Sequence, residues 1–364
     1  MTSGYFDYAA TTPMAPEVLE AMQGWMTTSF GNPSSVHAWG RRARQAVERA
    51  RGQVARLIGA APDEIVFTSG GTEADNLAML GACRSGRVLM SAVEHHAVLE
   101  TRPVLEALGC TVDLIPVDAG GQLADFEWPS DTCLLSCMLV NNETGTRLAV
   151  AALAAQARRR GVLVHTDAVQ AVGIEAVDVQ ELGVDLLSMS AHKIYGPQGV
   201  GALYVRGVSL QPRHVGGPQE DGRRAGTENV AAVVGMGEAA ALAWQHRAER
   251  RRHLEALSER FLSRLPPDAQ RLGADPVPSI HCIQFPGVDG EALLIRLDLE
   301  GIAASLGAAC SSGAVSPSHV LLAMGLSKPE AWSALRFSMG QGTTRGDVDR
   351  LTKVLARVVP TCRK

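Results

Sequence analysis

Lys193 stands in Ser188-Met-Ser-Ala-His-Lys-Ile-Tyr-Gly-Pro-Gln-Gly199, between an apolar run that begins at Val184 and a second one, Val200-Gly-Ala-Leu-Tyr-Val205. Two short hydrophobic runs around a Gly-Pro turn read as core strands joined by a loop, so the lysine is anchored from both sides. Desolvation and cationic neighbours make such an amine a nucleophile. Its usual product is a Schiff base with a carbonyl, the aldehyde of pyridoxal phosphate included. Ser190 and His192 beside it carry donors suited to a phosphate. A lysine next to a Gly-Pro turn is as readily a solvated one, so other groups must bear on the same place.

Several do. Val162-Leu-Val-His-Thr-Asp167 reads as a strand one strand–helix–strand step before Lys193, with Asp167 and Gln170 at its exit. A carboxylate there suits a pyridinium nitrogen, which it keeps protonated, and equally suits capping of the next helix. In Phe67-Thr-Ser-Gly-Gly-Thr72 a strand ends, glycines turn the chain and a helix begins near Thr72. Gly71 and Thr72 thus offer free N–H groups, a positive dipole end and a hydroxyl to an anion, although glycine before a helix cap is also common turn chemistry. His95 and His96 follow the strand Arg87–Ser91, and Asn142 follows the apolar run Leu134–Val140, both at strand ends where α/β sheets bind ligands. Small residues flank Cys310 on both sides, which predicts a loop with one accessible thiol, or a linker with an incidental cysteine. Arg336, inside the strand-like Trp332–Met339, needs a partner: a substrate carboxylate or an internal salt bridge.

The elements that must position these groups alternate between strand and helix from residue 64 to 205, which predicts an α/β fold with a mostly parallel sheet covered on both faces. A glycine-rich basic loop, His214–Glu228, precedes a long helical stretch from Asn229 to Leu265, and the domain border is placed there. The expected division is a large domain over 14–255 and a small one made of 1–13 and 256–364. With 46% hydrophobic and 20% charged residues, the 364-residue chain can bury a large core and a second lobe. A net charge of −4 and arginine runs without interleaved aromatics give no reason to expect nucleic acid. Neither a secretory start nor a membrane-length apolar window is present, so a cytoplasmic protein is expected. Seven cysteines, an odd number, speak against a disulfide framework, and Cys133 and Cys137 read as core residues. No Cys/His spacing suggests a metal site.

Taken together and in order, Asp7-Tyr-Ala-Ala-Thr-Thr-Pro13, Gly31-Asn-Pro-Ser-Ser35, Phe67-Thr-Ser-Gly-Gly-Thr-Glu73, Glu94-His95, Asn141-Asn-Glu-Thr-Gly145, Asp167-Ala-Val-Gln170, Ser190-Ala-His-Lys193, Arg223-Arg-Ala-Gly-Thr-Glu-Asn229, the Cys310 segment and Arg336-Phe-Ser338 resemble the cysteine desulfurases. These belong to the class V aminotransferase branch of fold type I pyridoxal phosphate enzymes. The resemblance implies a seven-stranded, mostly parallel sheet with a smaller α+β domain. It implies that Lys193 holds the cofactor's aldehyde, that Asp167 pairs with the ring nitrogen, and that His95 stacks on the ring and shuttles protons. Gln170 and Asn142 would bond the ring oxygen, with Asn142 also near substrate. Gly71, Thr72, Ser190 and His192 would hold the phosphate, with Thr227 reaching over from a second subunit of a homodimer. Arg336 would clamp the carboxylate of L-cysteine. Lys193, once freed, would take the α-proton, and Cys310 would receive the sulfur as a persulfide while alanine leaves. A sulfur-acceptor protein, in iron–sulfur cluster assembly or tRNA thiolation, would take the sulfur onward. Two departures stand out: Ser305-Leu-Gly-Ala-Ala-Cys310 lacks two hydroxyls that the family commonly carries, and the sequence stops at Lys364, soon after the last expected helix, where many scaffold-serving members carry a further tail. The alternatives are a selenocysteine lyase or another class V aminotransferase, which need no thiol nucleophile, and more distantly a non-enzymatic sulfur-transfer adaptor.

Overall fold

The computed structural model describes residues 4–306 and 316–363. Its larger sheet has seven strands: β1 (Ile65–Thr68), β2 (Gly86–Ser91), β3 (Cys110–Ile115), β4 (Thr132–Ser136), β5 (Leu163–Asp167), β6 (Leu186–Ser190) and β7 (Gly201–Val205). Their order across the sheet is β1-β7-β6-β5-β4-β2-β3. β2 pairs in parallel with β3 and β4, and the β4–β5 and β5–β6 pairs are parallel too, while β7 runs antiparallel to both β1 and β6. Because β7 opposes two neighbours, β1 points the same way as β6, and the carboxyl ends of β1, β2, β4, β5 and β6 all emerge at one edge. β6 and β7 are buried at every position, as strands covered on both faces must be.

Helix α1 (Pro16–Thr27) starts with proline at its first position, and α2 (Ala38–Leu57) buries the predicted stripe of Ala43, Val47, Ala50, Val54 and Leu57. Both pack on the long helix Val230–Leu262. The N-terminal half of that helix puts Val233, Met236 and Ala240 into the core shared with β1 and β5–β7. Its C-terminal half puts Leu254, Leu257 and Phe261 into a second core with Phe285, Leu335 and Phe337. That second core backs a three-stranded antiparallel sheet of β8 (Gln270–Leu272), β9 (Ile280–Gln284) and β10 (Ala334–Ser338). Residues 5–7 stitch the two parts together, since Phe6 lies in the second core and Tyr8 in the first, with bridges from Tyr5 to Ala303 and from Asp7 to Ser338.

Two local expectations are corrected and one strand went unread. The run expected as a strand through Val140 stops at Ser136, because the Met138 N–H turns to the buried Glu94 carboxylate at 2.6 Å. The Trp332–Met339 run divides into the end of a short helix, Lys328–Trp332, and β10. β8 was not foreseen, since three residues with one apolar member carry no period to detect. Among the described residues, no helix is long and apolar enough to cross a membrane.

Candidate active site

A cleft of about 460 Å³ opens at the edge where the parallel strands end, lined by Gly71, Thr72, Asp75, His95, Asn142, Asp167, Gln170, Ser190, His192 and Lys193 from the large sheet's side. Arg336 and Ser305 line it from the small sheet's side, and Asp7, Ala9 and Ala10 complete it from the N-terminal segment. The large-sheet residues, far apart in the chain, meet here because each lies at or beyond the end of a strand that points the same way.

Lys193 closes a single 3-10 turn, Ala191–Lys193, directly after β6. Its ammonium donates to the carbonyls of Ala9 and, at 2.8 Å, Ala10. Burial, reinforced by the positive charge of Arg336, brings its pKa down to about 8, so a far larger share of the amine is free near neutrality than for an ordinary lysine. Asp167 ends β5 and is 6% exposed, with one oxygen accepting from the Val169 N–H at 2.8 Å. Burial, with Asp75 adding like charge, pushes it up to about 7, and Asp75 is likewise raised to about 7 by burial. A positive charge placed next to this pair of carboxyls would favour their ionised forms. Among the described residues Asp75 Oδ1 has no hydrogen-bond partner, and it lies 3.5 Å from His165 Nε2, a ring already held between Ser136 and Ser188.

His95 caps the next short helix, its Nδ1 accepting from the Ala97 N–H at 3.1 Å. The neutral ring thus carries its proton on Nε2. Burial, then the charge of Lys193, lowers its pKa to about 4, although the ring is accessible through the cleft mouth. Its neighbour His96 is exposed as well and faces His319 at 4.5 Å between ring centroids. Gln170 donates to the Ala9 carbonyl at 2.8 Å, and His192 Nδ1 lies 3.1 Å from Thr11 Oγ1. Helix α3 (Gly71–Ala82) begins at the glycine pair, and its first N–H groups have no partner within the helix. A Cβ on Gly71 would sit 3.1 Å from Val169 and 3.6 Å from Ser190, so glycine keeps this corner open to a bound group.

Arg336 takes the internal salt bridge: it meets Asp7 at 2.8 Å and donates to the Asn142 carbonyl at 2.8 Å, which ties β10 to the N-terminal segment and to the β4 side of the cleft. Its Nε is buried without a hydrogen-bond partner among the described residues. One expected member is not in this cleft: Thr227 is exposed on the surface loop before the long helix. Cys310 lies outside the described residues. Sequence reasoning gave no role to Asp75, Asp7 or Ser305. Asp75 sits in the first turns of α3, where an acid is usually a solvated dipole partner, and only its burial marks it as different.

The donor set fits pyridoxal phosphate. A buried carboxyl of raised pKa answers a ring cation, a depressed lysine amine answers an aldehyde, and a helix start cleared by Gly71 answers a phosphate.

The aminotransferase class-V family model matches residues 4–351. A cysteine desulfurase IscS of Dictyoglomus turgidum is 44% identical over 99% of this chain and 95% of its own length, and a cysteine desulfurase of Cereibacter sphaeroides is 46% identical over 99% and 96%. Among solved structures, a NifS-like protein at 34% identity superposes with a TM-score of 0.91, covering 98% of this chain and 99% of its own. The fold is that of the fold type I pyridoxal phosphate enzymes, and the chain belongs to the class-V aminotransferase family, in its cysteine desulfurase branch.

Proposed function

We propose that this protein is a pyridoxal phosphate-dependent cysteine desulfurase that takes sulfur from L-cysteine, releases L-alanine and passes the sulfur to an acceptor protein. The observation that carries the reading is the convergence, in one cleft, of the depressed amine of Lys193, the buried carboxyl of Asp167, the ring of His95 and the guanidinium of Arg336. When bound, pyridoxal phosphate supplies an aldehyde that captures the substrate amine and a ring that draws electrons from the α-carbon. Asp167 would hold the ring nitrogen, with Gly71, Thr72, Ser190 and His192 around the phosphate and Gln170 and Asn142 at the ring oxygen. Lys193, with a pKa near 8, is suited to remove a proton at the α-carbon. His95 would lie against the ring, with Nε2 available to move protons. Arg336, whose Nη2 holds Asp7 and whose Nη1 holds the Asn142 carbonyl, would turn its fork to the substrate carboxylate. Cys310 is the thiol that accepts the sulfur as a persulfide.

Support for a homodimer comes from the surface. Phe30 and Val36 are 70% and 87% exposed, and Trp39 and Val215 are exposed with them. Pro33 and Ser34 adjoin the Pro218–Glu228 segment that carries Thr227. We propose that this face meets a second copy, so that Thr227 of each subunit completes the other's phosphate site, and that the enzyme works in the cytoplasm with iron–sulfur assembly or tRNA thiolation downstream.

The test is to give L-cysteine to the holoenzyme, measure alanine release, and locate added sulfur by peptide mass mapping. Sulfur is expected on Cys310, and Cys310→Ser is expected to lose it while still binding the cofactor. Alanine release at the wild-type rate from Cys310→Ser would overturn the assignment.

A further inference from the structure

The edge of the large sheet remote from the cleft gathers three thiols from three elements. Cys83 follows the last residue of α3, Cys110 begins β3, and Cys133 sits in β4. Cys83 Sγ lies 2.6 Å from Cys133 Sγ and 3.7 Å from Cys110 Sγ. The chain builds this contact at a β-bulge: Arg87 pairs with Thr132 and Val88 with Leu134, so Cys133 is the unpaired extra residue. A bulge re-aims its side chain, here onto the face where Leu134, Val88 and Cys83 pack. Gly86 makes the room. At a φ of +94° it occupies a conformation that favours glycine, and a Cβ there would meet Cys133 Sγ at 3.4 Å and the Asp131 carbonyl at 2.9 Å. Each thiol of the close pair also has a carbonyl acceptor of its own, Ser85 O at 3.4 Å for Cys83 and Arg87 O at 3.2 Å for Cys133, so neither sulfur depends on the other for a hydrogen-bond partner. Cys83 and Cys110 are buried, whereas Cys133 is half-buried.

We propose that Cys83 and Cys133 form a reversible dithiol–disulfide pair that exchanges with low-molecular-weight disulfides, Cys133 reacting first and Cys83 resolving. In the first step the Cys133 thiolate attacks one sulfur of the small disulfide, forms a mixed disulfide and expels one small thiolate. In the second, the Cys83 thiol loses its proton and attacks Cys133 Sγ, expelling the second small molecule as a thiol. Two protein thiols are oxidised by two electrons and one small disulfide is reduced to two thiols. The lowering of the Cys133 pKa by its contact with Cys83 agrees with this order of attack. The pair lies about 18 Å from the cleft, the length of the twelve-residue α3, so the exchange proceeds without touching the candidate active site.

The experiment equilibrates holoenzyme with glutathione buffers from fully reduced to mostly oxidised, quenches in acid, blocks free thiols, and maps peptides without reduction. Expected is a peptide pair linked through Cys83 and Cys133 that rises at least tenfold across the series and disappears on returning to reduced glutathione. Cys83→Ser is expected to leave glutathione on Cys133, and Cys110→Ser to form the link as wild type does. Peptide resolution keeps any modification of Cys310 out of the reading, and the wild-type map stands even if a variant folds poorly. Wild-type Cys133 that stays free, stays capped with glutathione beside an intact Cys83, or links to Cys110 instead would each overturn the proposal.

Discussion

The chemistry of Lys193 depends on how its charge is held. Burial and the nearby guanidinium of Arg336 both work against the ammonium, while Asp167 and Asp7 work for it, and the outcome is a pKa near 8 rather than the usual value above 10. Cofactor uptake by the apo-protein requires the free amine, so its rate should rise with pH and reach half its plateau near pH 8. Arg336→Gln removes a positive neighbour and leaves Asp7 unpaired, and both changes raise the lysine's pKa. The uptake profile of the variant, followed by absorbance, is therefore expected to move to higher pH; an unmoved midpoint would show that Arg336 does not act on Lys193 through charge. At this scale the sequence was informative about residue types and poor about partners. Lys193, Asp167 and the Gly71–Thr72 corner were readable because each sits beside a strand-to-turn transition. The Asp7–Arg336 pair was not, because it joins residues from opposite ends of the chain that long-range bridges such as Asp7 to Ser338 bring together.

Between elements, the corner that would hold the phosphate is pressed against the start of β7. A Cβ added at Gly201 would lie 2.6 Å from the Gly70 carbonyl carbon and 2.7 Å from the Met189 carbonyl oxygen, backbone on both sides, so neither neighbour can swing away as a side chain would. Gly201→Ala is expected to cost about 1–3 kcal/mol of stability through overpacking. It should also weaken retention of pyridoxal phosphate on dialysis, because the Gly70–Thr72 turn must shift. Gly52→Ala on α2 is the matched control: nothing lies within 4 Å of its Cβ, and replacing glycine inside a helix gains about 0.5–1 kcal/mol. Melting curves of the two variants moving together would refute the argument. Elements with a stripe, a long unbroken helical stretch or a continuous apolar run were legible in the sequence: α2, the long helix Val230–Leu262, and the all-buried β6 and β7 respectively. What escaped were features set by partners elsewhere in the chain. Glu94 ends β4 early by accepting from Met138, and Glu220 holds its loop down by pairing with Arg51 at 2.7 Å and accepting from the Phe67 N–H at 2.8 Å.

Over the whole molecule, buried ionisable groups of opposite kinds pull stability in opposite directions. His165 and His281 are fully buried, and burial lowers them to about 4 and about 3; His95 and His192 in the cleft are lowered to about 4 by burial and by Lys193. The unfolded chain protonates each of them below about pH 6.5 while the folded chain does not. Their contribution is therefore present above that pH and lost as pH falls toward 4. Asp75, Asp167 and Glu143 are raised to about 7, and Glu94 well above its usual value, each chiefly by burial. Their contribution runs the other way, complete below about pH 4 and lost as pH rises toward 7. Between these limits the two sets offset each other, so the cofactor-free protein should vary little in stability from about pH 4.5 to 6.5. Removing one histidine exposes the balance. His165→Asn can keep a polar contact to Ser136 and Ser188 but no longer titrates, so whatever it costs at pH 7.5, its deficit relative to wild type should shrink by about 2 kcal/mol at pH 5. Urea unfolding of the two proteins at both pH values measures that change directly, and a deficit equal at pH 7.5 and pH 5 would mean that His165 does not stay neutral in the folded chain.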